Sequence, residues 1–185
     1  MTGAIAFALF VVTASQAQAP DTQPQIGVSR TIELTPSYSC RTPEEFRKGY
    51  QRTALFLSEE MRRLNSPDLL FNGACGSENY FQAATHGANA SVIADLSIEP
   101  AAAAAGTQRL MQLDAEKDRD TLKKMGFDND AAVVPGHIYA ILLHKHGIRG
   151  LMMVTVTRHV QDKGVELTYE VLDYQVTTEK PLARR

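Results

Sequence analysis

The chain predicts an α+β domain: a long N-terminal helix and a second helix packed on a mainly antiparallel sheet that ends in a three-strand meander. Two observations carry this reading. Three apolar runs, 137–144 (HIYAILLH), 150–160 (GLMMVTVTRHV) and 165–176 (VELTYEVLDYQV), are separated only by short Gly-containing turns. Upstream, residues 42–65 repeat apolar side chains at intervals of three and four, the spacing of one helix face.

Size and charge narrow the classes. With 185 residues, 44% of them hydrophobic, the chain fits one domain with a real core. A formal net charge of -2 argues against a nucleic-acid binder held by phosphate contacts. No apolar run approaches the roughly 20 residues that span a bilayer as a helix.

The N-terminus reads as a targeting segment. Residues 4–14 (AIAFALFVVTA) are apolar and uncharged, followed by small and polar residues ending in Ala17-Gln18-Ala19. Residues 1–19 are therefore expected to be a signal peptide and the protein to be exported, periplasmic or extracellular. Residues 20–25 (PDTQPQ) form a leader, 26–176 the single domain and 177–185 a polar tail.

Within the domain, Ile26, Val28, Ile32 and Leu34 share one parity and predict a strand. Thr42 can cap the long helix, Pro43 suits its first position, and Glu45 completes a capping box. The apolar stripe runs through Phe46, Tyr50, Ala54, Leu57, Met61 and Leu64. Residues 66–90 are turn-rich and read as irregular, with Asn72-Gly73 as a tight turn. Residues 91–98 alternate again and predict a strand. Met111, Ala115, Leu122 and Met125 place the second helix over 107–126, with Gly126 as its stop.

The C-terminal runs differ from one another. Residues 138–143 are apolar on both parities, so this strand should be covered on both faces. In the last run Val165, Leu167, Tyr169 and Val171 share a parity, which then switches to Leu172, Tyr174 and Val176. A switch of face without a turn predicts a bulge near Val171 and Leu172.

The chemistry is sparse. Cys40 and Cys75 are the only cysteines, and an even count in an exported chain predicts a disulfide. A helix from 42 to 65 is about 33 Å long, a distance that residues 66–75 can retrace to bring Cys75 beside Cys40. Such a crosslink stabilises by roughly 3 kcal/mol in the chain-entropy account.

The stretch Asn72-Gly73-Ala74-Cys75-Gly76-Ser77 resembles the cysteine-bearing turn of papain-like cysteine hydrolases. Pro135-Gly136-His137, followed by Ile138 to Ile141, resembles the strand that presents their histidine, and Cys before His is the order of that superfold. The resemblance implies a Cys75 thiolate activated by the His137 imidazole. It covers about a dozen residues. The family's second Cys and Trp are missing, with Glu78 and Asn79 following Ser77, and no motif places an orienting Asn or Asp.

His144 and His146 form a His-x-His pair that on one strand face would suit a metal. Lys145 between them and Gly147 after them favour a solvated turn instead. There is no phosphate loop, dinucleotide fingerprint, Ser nucleophile elbow or HExxH motif, so no cofactor is expected. The expectation is a non-enzymatic binding or envelope-associated module with one structural disulfide, using the 66–90 segment and the 144–150 turn. Its partner is a small molecule, a protein or an envelope component. The alternative is a papain-like cysteine hydrolase using Cys75 and His137.

Overall fold

The computed structural model describes residues 23–36, 52–73, 78–83, 89–161 and 163–177. Nine strands and three short helices are present among them, in the order β1 (Ser29–Leu34), β2 (Ala54–Leu55), α1 (Glu59–Arg63), β3 (Leu69–Gly73), β4 (Asn79–Gln82), β5 (Val92–Asp95), α2 (Pro100–Leu110), α3 (Arg119–Lys124), β6 (Asp130–Ala132), β7 (Ile138–Lys145), β8 (Ile148–Val160) and β9 (Gly164–Val176).

The strands form two antiparallel sheets, of order β1-β9-β8-β7-β5 and β2-β3-β4-β6. The sheets meet at both corners. Ile93 of β5 exchanges two backbone hydrogen bonds with Asp128, at 2.8 and 2.9 Å, just before the chain enters the second sheet as β6. At the other corner the Thr35 amide, following β1, donates to the Arg52 carbonyl ahead of β2. The result is a flattened barrel.

Its interior holds Leu55, Leu69, Phe71 and Phe81 from the smaller sheet against Tyr139, Ile141, Val154 and Leu167 from the larger. The outer face of the larger sheet is covered by the α2–α3 region, where Ala102, Leu110, Ala115, Leu122 and Phe127 pack on Val92, Ala140, Leu142 and Leu151. Strand β7 thus has an apolar layer on each side, which is why both its parities are apolar. Each Leu or Ile removed from water there stabilises by about 1.5–3 kcal/mol.

The expected α+β class with a long N-terminal helix is overturned. The predicted stripe over 42–65 becomes β2 and the five-residue α1, and residues 42–51 lie outside the described set. The competing pattern is period two: Thr53, Leu55 and Leu57 are buried while Ala54 and Phe56 are only half-buried. That alternation fixes an extended segment at the sheet edge, and tertiary burial outweighs helix spacing. Ser58 then starts α1 by accepting the Met61 amide at 3.3 Å. Leu64, assigned to the apolar stripe, is half exposed.

The second helix is also shorter and interrupted. Pro100 opens α2, and Gly106, at φ 71°, breaks it. Beyond Leu110 the Asp114 carboxylate accepts the Glu116 and Lys117 amides, both at 3.0 Å, and the Asp118 carboxylate accepts the Asp114 amide at 2.8 Å. These local bonds offer the backbone an alternative to the helix ladder, so only Arg119–Lys124 winds up as α3. The segment expected to be irregular contains the β3–β4 hairpin, in which Asn72 and Gly73 are strand residues paired with Tyr80 and Asn79.

The three C-terminal strands lie where the apolar runs place them. Leu151 pairs with Asp173 and Met152 with Val171, so Leu172 is the extra residue of a bulge.

Candidate functional site

The β7–β8 turn and the end of β9 converge at one end of the larger sheet, on its helical face. There the 111–114 segment closes over the strands and leaves a pocket of about 100 Å³. Its polar lining comes from Gln112, Asp114, Arg149, Asp173 and Gln175, and its floor from Leu142, Leu143 and Gly150. The register explains the grouping: His144 pairs with Arg149, Arg149 with Gln175, and Leu151 with Asp173. The bulge at Leu172 puts Asp173 beside the pocket, and the Gln175 amide donates to the Asp173 carboxylate at 3.0 and 3.3 Å.

The closing segment is tied to the sheet by charge. Asp114 Oδ2 lies 2.8 Å from Arg149 Nη2, and Asp114 Oδ1 lies 3.1 Å from His144 Nδ1. His144 Nε2 lies 3.1 Å from Glu116 Oε2. The Asp114 contacts are ion pairs in distance without aligned hydrogen-bond geometry. Burial pulls the Asp114 carboxyl upward, but the Lys117 and Glu116 amides with the His144 and Arg149 charges outweigh it and hold it below the usual carboxylate range.

A second group sits at the opposite end of β7. His137 Nδ1 is 2.7 Å from Asp95 Oδ2, and Asp95 Oδ1 accepts the Ser97 amide at 2.9 Å. The carboxylate is nearly buried and the imidazole is 25% exposed, so the ring is oriented from inside and reachable from outside. Close by, the Tyr139 hydroxyl donates to the Ala132 carbonyl and accepts the Val134 amide. Burial, only partly offset by that amide and reinforced by Asp95, pushes the Tyr139 phenol up to about 12.

A third group is enclosed between the sheets. Lys145 and Asp68 are both fully buried, with Nζ 3.0 Å from Oδ1. Lys145 also donates to the Ser66 carbonyl at 2.7 Å, and Asp68 Oδ2 accepts the Leu57 amide at 2.8 Å.

The anticipated residues are distributed among these groups. Cys40 and Cys75 lie outside the described residues. His137 is placed beside a carboxylate, Asp95, that comes from a different strand and that no motif in the sequence marks. His144 and His146 are not brought together: His144 lies on the helical face of β7, while His146 is an exposed turn residue at φ 46°. Among the described residues no group of three or more His, Cys, Asp and Glu side chains could hold a metal ion. No described helix is long and apolar enough to cross a membrane. No protein-family model matches the chain, and no curated protein or solved structure matches it either.

Proposed function

We propose that the protein is an exported, non-enzymatic binding module whose site is the pocket beside the β7–β8 turn. The observation that carries the reading is that opposite charges, Arg149 against Asp114 and Asp173, line one small space together with the Gln175 amide. An apolar cavity of 150 Å³ accepts benzene, so about 100 Å³ suits a polar group of about four to five non-hydrogen atoms. The ligand is then a small polar molecule, or the head group of a larger one, bearing both a donor and an acceptor.

The test is protein-observed NMR with glycine, acetamide, methylguanidinium and acetate at millimolar concentration. At least one should shift the Gly150 and Gln175 amides, and Arg149→Ala should weaken that binding about tenfold, the loss of one charge-assisted hydrogen bond. If no fragment moves Gly150, the pocket is not a binding site.

A second reading, the cysteine hydrolase, is favoured by one observation. Asp95 holds the His137 ring through Nδ1, leaving Nε2 to act as a base toward a nucleophile. The two readings make opposite demands on Cys75. In the binding module it is joined to Cys40; in the hydrolase it is a reduced, reactive thiol. Alkylation of the purified protein without reductant, read by mass spectrometry, separates them. The expected result is that neither cysteine is labelled until reductant is added. Rapid labelling of Cys75 alone near neutral pH would put the hydrolase first.

A further inference from the structure

We infer that the pocket takes the zwitterionic head of a free α-amino acid, with the ligand carboxylate on Arg149 and the ligand ammonium on Asp173. The inference names the ligand class of the pocket and so rests on reading that pocket as a binding site.

Two opposite charges share one sheet face here and do not meet. Arg149 pairs in register with Gln175 and Leu151 with Asp173, which makes Asp173 the diagonal neighbour of Arg149. Diagonal neighbours on a sheet stand about 7–8 Å apart, within reach of a long side chain. The guanidinium is nevertheless drawn the other way: Arg149 Nη2 lies 2.8 Å from Asp114 Oδ2. Asp114 is a firm anchor for it, because Asp114 Oδ1 accepts the Glu116 and Lys117 amides, both at 3.0 Å. Asp173 keeps only the neutral Gln175 amide as a side-chain partner, and among the described residues it has no ion pair.

Both charges keep unused bonding capacity. A guanidinium carries five N–H donors on three nitrogens, and Asp114 engages one nitrogen of a side chain that is 36% exposed. An ionised carboxylate offers about four lone-pair sites, of which the Gln175 amide takes two. The pocket touches both residues. A ligand that completes both carries an anionic acceptor and a cationic donor together.

Single charges fit worse. Arg149 is the one cation among the lining residues, against the carboxylates of Asp114 and Asp173. A phosphate or other lone anion would find one guanidinium already shared with Asp114 and a bare carboxylate beside it. A lone cation gains Asp173 but sits against Arg149. Size narrows the zwitterion further. A carboxylate and an ammonium on one shared carbon come to about five non-hydrogen atoms, the content of a space of about 100 Å³. Additional carbons between the two charges would overfill it. The joining carbon rests over Leu142 and Gly150, which form the apolar floor.

The test compares glycine with two molecules of the same size, glycinamide, which lacks the negative charge, and glycolate, which lacks the positive one. The whole protein is titrated at about pH 6, where an α-amino group is protonated, and the Gly150 and Gln175 amides are followed by NMR. Glycine should bind about tenfold more tightly than either, the worth of one charge-assisted hydrogen bond. Asp173→Asn should weaken glycine about tenfold and leave glycolate no weaker than before. Glycolate binding also shows that the variant is folded; if it is not, the comparison in the parent decides. Glycinamide or glycolate binding as tightly as glycine overturns the inference, as does an equal loss of glycine and glycolate in Asp173→Asn. If acetamide or acetate moves Gly150 while glycine does not, the pocket stands as a binding site and the amino-acid assignment alone falls. If no fragment moves Gly150, both fall.

Discussion

Replacing Lys145 by Met is expected to lower the unfolding free energy by about 3–5 kcal/mol, the cost of leaving a buried carboxylate without its cation. Both members of the pair are fully enclosed between the two sheets. Burial pushes the Asp68 carboxyl up, against the pull of Lys145 and the Leu57 amide. It pushes the Lys145 ammonium down, against the pull of Asp68. Each group thus depends on the other to remain charged. Without Lys145 the Asp68 carboxyl rises further, and its folded value stands well above its unfolded one. Between those two values the folded protein binds more protons than the unfolded chain, so stability falls as the pH rises through that interval. The variant should therefore be more stable at about pH 5 than at about pH 8, by urea unfolding at each. Adding Asp68→Asn keeps an acceptor for the Leu57 amide while removing the charge, and should recover most of the loss. A loss below about 1 kcal/mol without a pH trend would mean that Asp68 stays ionised in the fold without Lys145, so that its charge does not depend on the lysine.

This pair also marks where the sequence stops being legible. A lysine between two histidines before Gly147 reads as solvated, because nothing local reveals that β7 alternation turns Lys145 inward toward Asp68. Asp95 is hidden for the same reason: its partner His137 reaches it only after β5 and β7 pair. The β7–β9 meander, by contrast, shows plainly, since its order rests on parity within each strand and on short turns. The parity switch at Val171 and Leu172 even locates the bulge. The residues around 54–64 mislead because one stretch carries two periods, and the alternation of Thr53, Leu55 and Leu57 prevails only through pairing with β3. In the 107–126 stretch the apolar spacing is genuine, but Asp114 and Asp118 side chains redirect the backbone. The pocket depends on those same redirecting bonds, so no helical reading could have shown it.

Gly150→Ala is the second substitution with a large expected effect, a loss of about 2–3 kcal/mol, within the range for forced overpacking. The reason is space and not backbone conformation, since Gly150 has no left-handed φ. A Cβ built there would overlap the Asp173 carbonyl oxygen, with the Asp173 carbonyl carbon at 3.1 Å and the Tyr174 Cα at 3.2 Å. All three are backbone atoms, so no side-chain rotation relieves the clash; β8 and β9 must part at this point. The bulge is what brings them so close. With two residues, Leu172 and Asp173, set against the single Leu151, β9 bends and its Asp173 carbonyl crosses over the glycine. Deleting Leu172 would return β9 to a regular ladder without reversing the faces of Asp173 and Tyr174. The deletion should therefore cost little beyond the packing of one half-buried leucine. In that background Gly150→Ala should cost less than it does alone. A double-mutant cycle measures the difference, and a coupling above about 1 kcal/mol is expected for residues in such contact. Additive losses would mean that the bulge does not set the approach of Asp173 to Gly150. The same glycine and the same aspartate line the pocket, so Gly150→Ala should also abolish any fragment shift at Gln175. The bulge is then a device of the site as much as of the sheet, because it sets a carboxylate beside Arg149 at the closest approach of two strands.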